Sequence, residues 1–126
     1  MIYLDTNILI YLFENHATYS EKVAGKLEEY VEVGEKFITS SITVAEFLSG
    51  TDSSSLDTLN QVPNMTIIPL DEKIAEKAAN LQKKFQINIG DSIHLATALH
   101  LQSSAFFTND KQLAKVAQQF IEVANV

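Results

Sequence analysis

The sequence predicts an α/β fold in which short apolar strands alternate with amphipathic helices along one sheet. Apolar segments of strand length recur at 2–5, 37–40, 65–69, 104–108 and 120–124, and helical periodicity fills the chain between them. At 126 residues and 46% hydrophobic content, the chain suits one compact domain, 1–126, able to bury about two-thirds of its unfolded surface. Strands separated by helices usually pair in parallel, and ligands of such sheets gather outside the strands' carboxyl ends.

The first strand, within MIYLDTN, runs into Asp5, with Thr6 and Asn7 behind it as caps for a helix expected to begin at Ile8. Tyr19 to Glu35 carries apolar residues at Val23, Ala24, Leu27, Tyr30 and Val31, the stripe of an amphipathic helix, with Glu28, Glu29 and Glu32 on its wet face. After the second strand, SSITVAEFLSG reads as a helix opened by its serines. TDSSSLD, residues 51–57, reads as a turn or cap. The strand MTIIP precedes a helix over Asp71–Phe85, with Ile74, Ala78, Leu81 and Phe85 inward and Lys73, Lys77 and Lys84 on another face. GDSIHLATALHL, Gly90 to Leu101, is apolar on nearly every side and is expected to be buried. FFTND then repeats the logic of the opening: a short apolar strand delivers Thr108, Asn109 and Asp110 at its end.

Composition narrows the chemistry. With no cysteine there can be no disulfide, thiolate zinc site or cysteine nucleophile. The apolar run at the start is too short for a signal peptide or a membrane span, so a cytoplasmic protein is expected. The net charge is −7, and all nine basic residues are lysine. Phosphate neutralisation by a general nucleic-acid coat calls for a basic surface, and arginine forms the bidentate contact best. A site that meets phosphate through bound cations is not excluded by these counts.

Four acids stand where such a site is expected: Asp5 and Asp110 at strand ends, Glu46 and Asp91 in apolar helices. Taken singly, Asp5 and Asp91 are plausible helix caps, and Glu46 either reaches a groove or meets a cation. Together they point to one shared pocket. Clustered carboxylates raise one another's pKa unless cations neutralise them, and hard oxygen donors suit Mg²⁺ or Mn²⁺. His16, His94 and His100 share no ligand spacing and read as packing or surface residues.

The ordered set YLDTN, TVAEFLSG, GDSIHLATAL and FFTND resembles the PIN-domain family, in particular its small single-domain ribonuclease toxins of VapC type, across the whole chain. The resemblance implies a three-layer α/β/α sandwich with a central five-stranded parallel sheet, a Mg²⁺ or Mn²⁺ pocket, endonucleolytic cleavage of RNA, a homodimer and an antitoxin partner. It assigns the catalytic and metal-holding roles to Asp5, Glu46, Asp91 and Asp110, and supporting polar roles to Thr6, Asn7, Thr108 and Asn109. Cations held by the acids would lower the pKa of a water, align it with the phosphodiester and stabilise the leaving 3′ oxygen. Lys111 and Lys115 are the candidate phosphate contacts. The chain departs from the family pattern at Gln112, where many relatives have a further aspartate, and at Asn88 and Gly90, where many have basic residues. Without its four pocket acids the chain carries −3, so the overall acidity need not repel RNA from the site.

Three other readings compete. The GDS and Asp-x-x-His within GDSIH suggest a Ser92–His94 hydrolase, but neighbours two apart on a buried helix face different ways. Aspartyl-phosphate chemistry at Asp5 wants an adjacent acid that LDTN lacks. The third is a catalytically silent PIN-like module that acts through protein or RNA contacts.

Overall fold

The computed structural model describes residues 1–51 and 55–126. The turn expected at 51–57 falls partly on residues 52–54, outside the described residues.

Five strands form one sheet: β1 (Ile2–Leu4), β2 (Phe37–Ser40), β3 (Met65–Ile68), β4 (Ala105–Phe107) and β5 (Glu122–Ala124). They lie in the order β3-β2-β1-β4-β5, and every neighbouring pair is parallel. The expected α/β class and five-stranded parallel sheet are therefore present. The pleat sorts the side chains. Ile2, Leu4, Phe37, Ala105 and Phe107 enter one apolar cluster, while Tyr3, Ile38 and Phe106 enter the other. Buried on both faces, β1 and β4 read as continuous apolar runs.

Helices α1 (Thr6–Phe13), α2 (Ser20–Glu32), α3 (Ser41–Gly50) and α4 (Leu56–Leu59) bring Ile8, Leu9, Val23, Leu27, Phe47 and Leu59 to the first cluster. Helices α5 (Glu72–Phe85), α6 (Ile89–His100) and α7 (Lys111–Ala117) bring Ile74, Ala78, Leu81, Leu95, Leu113 and Ala117 to the second. The α5 stripe falls as its spacing requires, and its N-cap Asp71 accepts from Ile74 N–H at 2.8 Å. Helix α6 is buried from Ser92 through Ala98, as its all-round apolar sequence demands. Two local expectations fail. Helix α1 starts at Thr6 rather than Ile8, because Asp5 takes the capping position and leaves Thr6 and Asn7 inside the first turn. Val31 is exposed, since α2 ends at Glu32 and the chain turns away through Gly34 at φ +84.

The chain lays down β1, β2 and β3 in one direction and then crosses back to place β4 and β5 on the far side of β1. The crevice between the ends of β1 and β4 is thus the topological switch point, the usual ligand position in an open parallel sheet. No helix among the described residues is long and apolar enough to cross a membrane.

Candidate active site

The four acids come from four separate elements and meet at this crevice. A pocket of about 230 Å³ is lined by Asp5, Thr6, Asn7, Ile10, Glu46, Asp91, His94 and Asp110. Asp5 follows β1, Glu46 projects from α3, Asp91 from the first turn of α6, and Asp110 stands before α7.

Each acid is held by local chemistry. Asp5 is buried; one carboxylate oxygen accepts from Thr6 N–H at 2.8 Å and the other from Thr108 Oγ1 at 2.7 Å. Thr108 in turn accepts from Asp110 N–H at 3.1 Å, so its hydroxyl ties the two strand-end acids together. Asp110 caps α7 through one oxygen, which accepts from Gln112 and Leu113 N–H at 3.0 and 3.1 Å. In α6 the cap is Asn88, not Asp91. The Asn88 side chain accepts from Asp91 N–H at 2.8 Å and donates to the Asp91 carboxylate at 3.0 Å, bracing it toward the pocket. Glu46 accepts from Thr6 Oγ1 at 2.7 Å, and a Cβ on Gly90 would stand 3.4 Å from its other carboxylate oxygen. Of the remaining polar positions, Asn7 Oδ1 accepts weakly from Asn109 N–H at 3.5 Å, and Asn109 Oδ1 from Val126 N–H at 3.3 Å.

His94 is the residue that sequence reasoning missed. It is buried, as packing would have it, but its Nε2 lies 2.6 Å from Glu46 Oε1 and 3.5 Å from Asp5 Oδ1, while Nδ1 lies 2.6 Å from the Tyr3 hydroxyl. The signal was present in the spacing: His94 follows Asp91 by three, so one helix face carries both. Ser92 is spent on the α6 backbone, donating to Asn88 O at 2.9 Å, which removes the serine hydrolase reading.

Electrostatics follow from this packing. Burial is the largest influence on Asp5 and raises its pKa, against the pull of His94, Thr108 and Thr6 N–H. Burial, then the charges of Asp5 and Asp110, push Asp91 up to about 6. The hydrogen bond with His94 is the main influence on Glu46 and lowers its pKa. Burial opposes a charge on His94, but the bond to Glu46 and the nearby Asp5 and Asp91 outweigh it and raise its pKa. His94 and Glu46 shift as an ion pair would. Among the described residues, no three His, Asp or Glu side chains already stand close enough to share one metal ion. The donor chemistry nonetheless fits a hard divalent cation: the pocket offers carboxylate oxygens, and Asp91 is raised first by burial and then by the charges of Asp5 and Asp110.

Lys111 and Lys115 lie beyond Asp110 on α7. Both line a shallow hollow on that helix, and Lys111 also borders a second cavity that reaches Asp110.

A doubly wound parallel sheet with carboxylates converging at its switch point defines an acidic-pocket α/β domain. The PIN-domain family model matches residues 2–119, and the chain belongs to that family. The structure is similar to a toxin-antitoxin complex from Klebsiella pneumoniae, at 25% identity over 98% of this chain and 96% of that one, TM-score 0.76. It is also similar to FitAcB from Neisseria gonorrhoeae, at 27% identity over 99% and 97%, TM-score 0.71. VapBC2 from Rickettsia felis, bound to a promoter DNA fragment, shares the fold at 21% identity over 99% and 98%, TM-score 0.73. A comparison with curated proteins found no match.

Proposed function

We propose that the chain is a divalent-metal-dependent endoribonuclease, the toxin of a toxin-antitoxin pair. The observation that carries this reading is the convergence of Asp5, Glu46, Asp91 and Asp110, from four separate elements, on one small pocket at the switch point. Membership of the PIN-domain family and likeness to toxin-antitoxin structures support it.

Asp5, Asp91 and Asp110 would hold Mg²⁺ or Mn²⁺, with Glu46 completing the oxygen set. When bound, the cation supplies Lewis acidity toward a phosphodiester and toward an attacking water. The chain's own groups do the positioning. Thr108 fixes the Asp5 carboxylate and links it to Asp110. Asn88 aims Asp91. His94, with Nε2 2.6 Å from Glu46 Oε1, favours the ionised form of that carboxylate.

An apolar groove of about 400 Å³ suits a protein partner. Leu12, Leu27, Val31, Phe37, Val62 and Pro63 line it, with Glu28 and Glu32 alongside. An amphipathic segment with basic flanks, from a small antitoxin, matches that chemistry.

A second reading is a silent PIN module. It is favoured by the separation of the acids, no three of which can share an ion as they stand among the described residues. Incubating a mixed RNA pool with Mg²⁺, Mn²⁺ or EDTA separates the two. A nuclease gives discrete products that vanish with EDTA and with Asp91→Asn; a silent module gives none in any condition.

A further inference from the structure

Beside the acid pocket lies a cavity of about 420 Å³, within the range of small-molecule sites. Its lining includes Tyr11, Tyr19, Asn109, Asp110, Lys111 and Asn125. We propose that this cavity is a nucleobase subsite, which takes an unstacked base of single-stranded RNA adjoining the bond at the acid pocket. The inference rests on the nuclease reading above and adds how the strand is gripped.

Three observations carry it. The cavity shares Asp110 with the acid pocket, so a base seated there belongs to a nucleotide close to the one being cut. Tyr11 and Tyr19 stand in its wall, and His16, outside the lining, packs against both. The Tyr11 and Tyr19 ring centroids lie 4.8 Å apart, and the His16 ring stands 5.0 Å from each, nearly parallel to Tyr19 at 22°. His16 Nδ1 accepts from Thr18 and Tyr19 N–H at 3.1 and 3.2 Å, which pins the imidazole beside the tyrosines. His16 is exposed, and Tyr11 and Tyr19, though packed in part against the core, are not fully buried and keep some surface open to the cavity. The third observation is what surrounds the rings. Asn109 gives its side-chain oxygen to Val126 N–H, leaving its amide nitrogen as a donor; Asn125 adds a second amide, and Lys111 adds a cation for phosphate.

The physical case is that stacking needs no net charge. A chain at −7 without arginine cannot rely on phosphate neutralisation, whereas base–aromatic stacking grips a single strand whatever the protein's charge. A duplex keeps its bases paired and offers no face to the rings, so the subsite selects unpaired RNA.

The test uses the full chain with Asp91→Asn and Mg²⁺, so that RNA binds without being cut. Short oligouridylate, oligoadenylate and an abasic ribose-phosphate oligomer are titrated against tyrosine fluorescence, which four tyrosines and no tryptophan make readable. The ring resonances of His16, one of three histidines, are followed in parallel. Base-bearing oligomers should bind about tenfold tighter than the abasic one, quench fluorescence and shift His16; Tyr19→Leu should remove that advantage and Tyr19→Phe keep it. Equal binding of the abasic oligomer, or full binding by Tyr19→Leu, overturns the subsite. If Tyr19→Leu does not fold, the His16 resonances decide, and their failure to move is equally fatal. Should the unmutated chain cleave RNA while Tyr19→Leu keeps its KM, only the subsite falls; should it neither cleave nor bind RNA, the nuclease reading falls with it.

Discussion

Replacing Asp91 by asparagine should stabilise the metal-free protein while destroying its activity. Asp91 lies among Asp5, Asp110 and Glu46, and burial with those charges pushes its pKa from 3.8 up to about 6. A shift of that size corresponds to about 3 kcal/mol at full weight. Asp91 is only half shielded from solvent, so screening reduces the usable amount to roughly 1 kcal/mol. The folded pKa is the higher one, so the folded chain binds more protons between pH 3.8 and 6, and stability falls as pH rises through that window. Asparagine carries no charge and escapes the penalty. In EDTA at pH 8, Asp91→Asn should melt about 3–6 °C above the unmutated chain, with the gap closing toward pH 4. Magnesium should raise the melting temperature of the unmutated chain and barely move the variant's. Scanning calorimetry at both pH values, with and without Mg²⁺, measures all of this. A variant less stable than its parent at pH 8 in EDTA would refute the idea that the pocket's acids repel one another.

Three further perturbations probe the rest of the pocket. His94→Phe fills the same space but leaves the Tyr3 hydroxyl and Glu46 without their partner, so urea melts should show a loss of about 2–4 kcal/mol. Because the folded His94 pKa is raised, its charge contribution is fully present below 6.5 and fades as pH climbs through the folded value; the gap between His94→Phe and its parent should therefore narrow with rising pH. Thr108→Val removes both the 2.7 Å bond to Asp5 and the acceptor for Asp110 N–H; a stability loss of about 1–3 kcal/mol is expected, with cleavage falling more than about tenfold and Thr108→Ser restoring most of it. Val31→Lys, at the exposed wall of the apolar groove, should leave RNA cleavage intact and abolish co-purification with a small protein encoded alongside, as read by co-expression.

Much of this architecture was legible because strand burial is two-sided. Segments such as FITS and AFF carry no polar alternation, and the helices between them carry a 3.6-residue period, so class and order follow from pattern alone. Boundaries were harder. The start of α1 depends on which of Asp5, Thr6 and Asn7 caps it, and three adjacent cap-forming residues give the sequence no means of ranking them. The acids were visible by position: a charge at the end of a buried strand, or inside an apolar helix, needs a reason. Their plainer role as caps was real as well, for Asp5 and Asp110 each cap a helix and also line the pocket. A carboxylate has two oxygens, and Asp110 spends one on the α7 backbone.

His94 was harder to read, because its spacing from Asp91 marks a shared helix face but not its partners. Its partners are 91, 88 and 48 residues away, at Tyr3, Thr6 and Glu46, and none shares a helix with it. Ligand spacing among histidines does not reveal it, because this imidazole pairs with carboxylates: its bond to Glu46 and the nearby Asp5 and Asp91 raise its pKa against burial. Buried beside Asp5 and Glu46, it favours the ionised form of Glu46 from inside the fold. Tyr3 and Thr6 fix the ring's direction, the Tyr3 hydroxyl 2.6 Å from Nδ1 and Thr6 Oγ1 3.2 Å from Nε2, and in this buried setting solvent does not screen its interaction with Glu46.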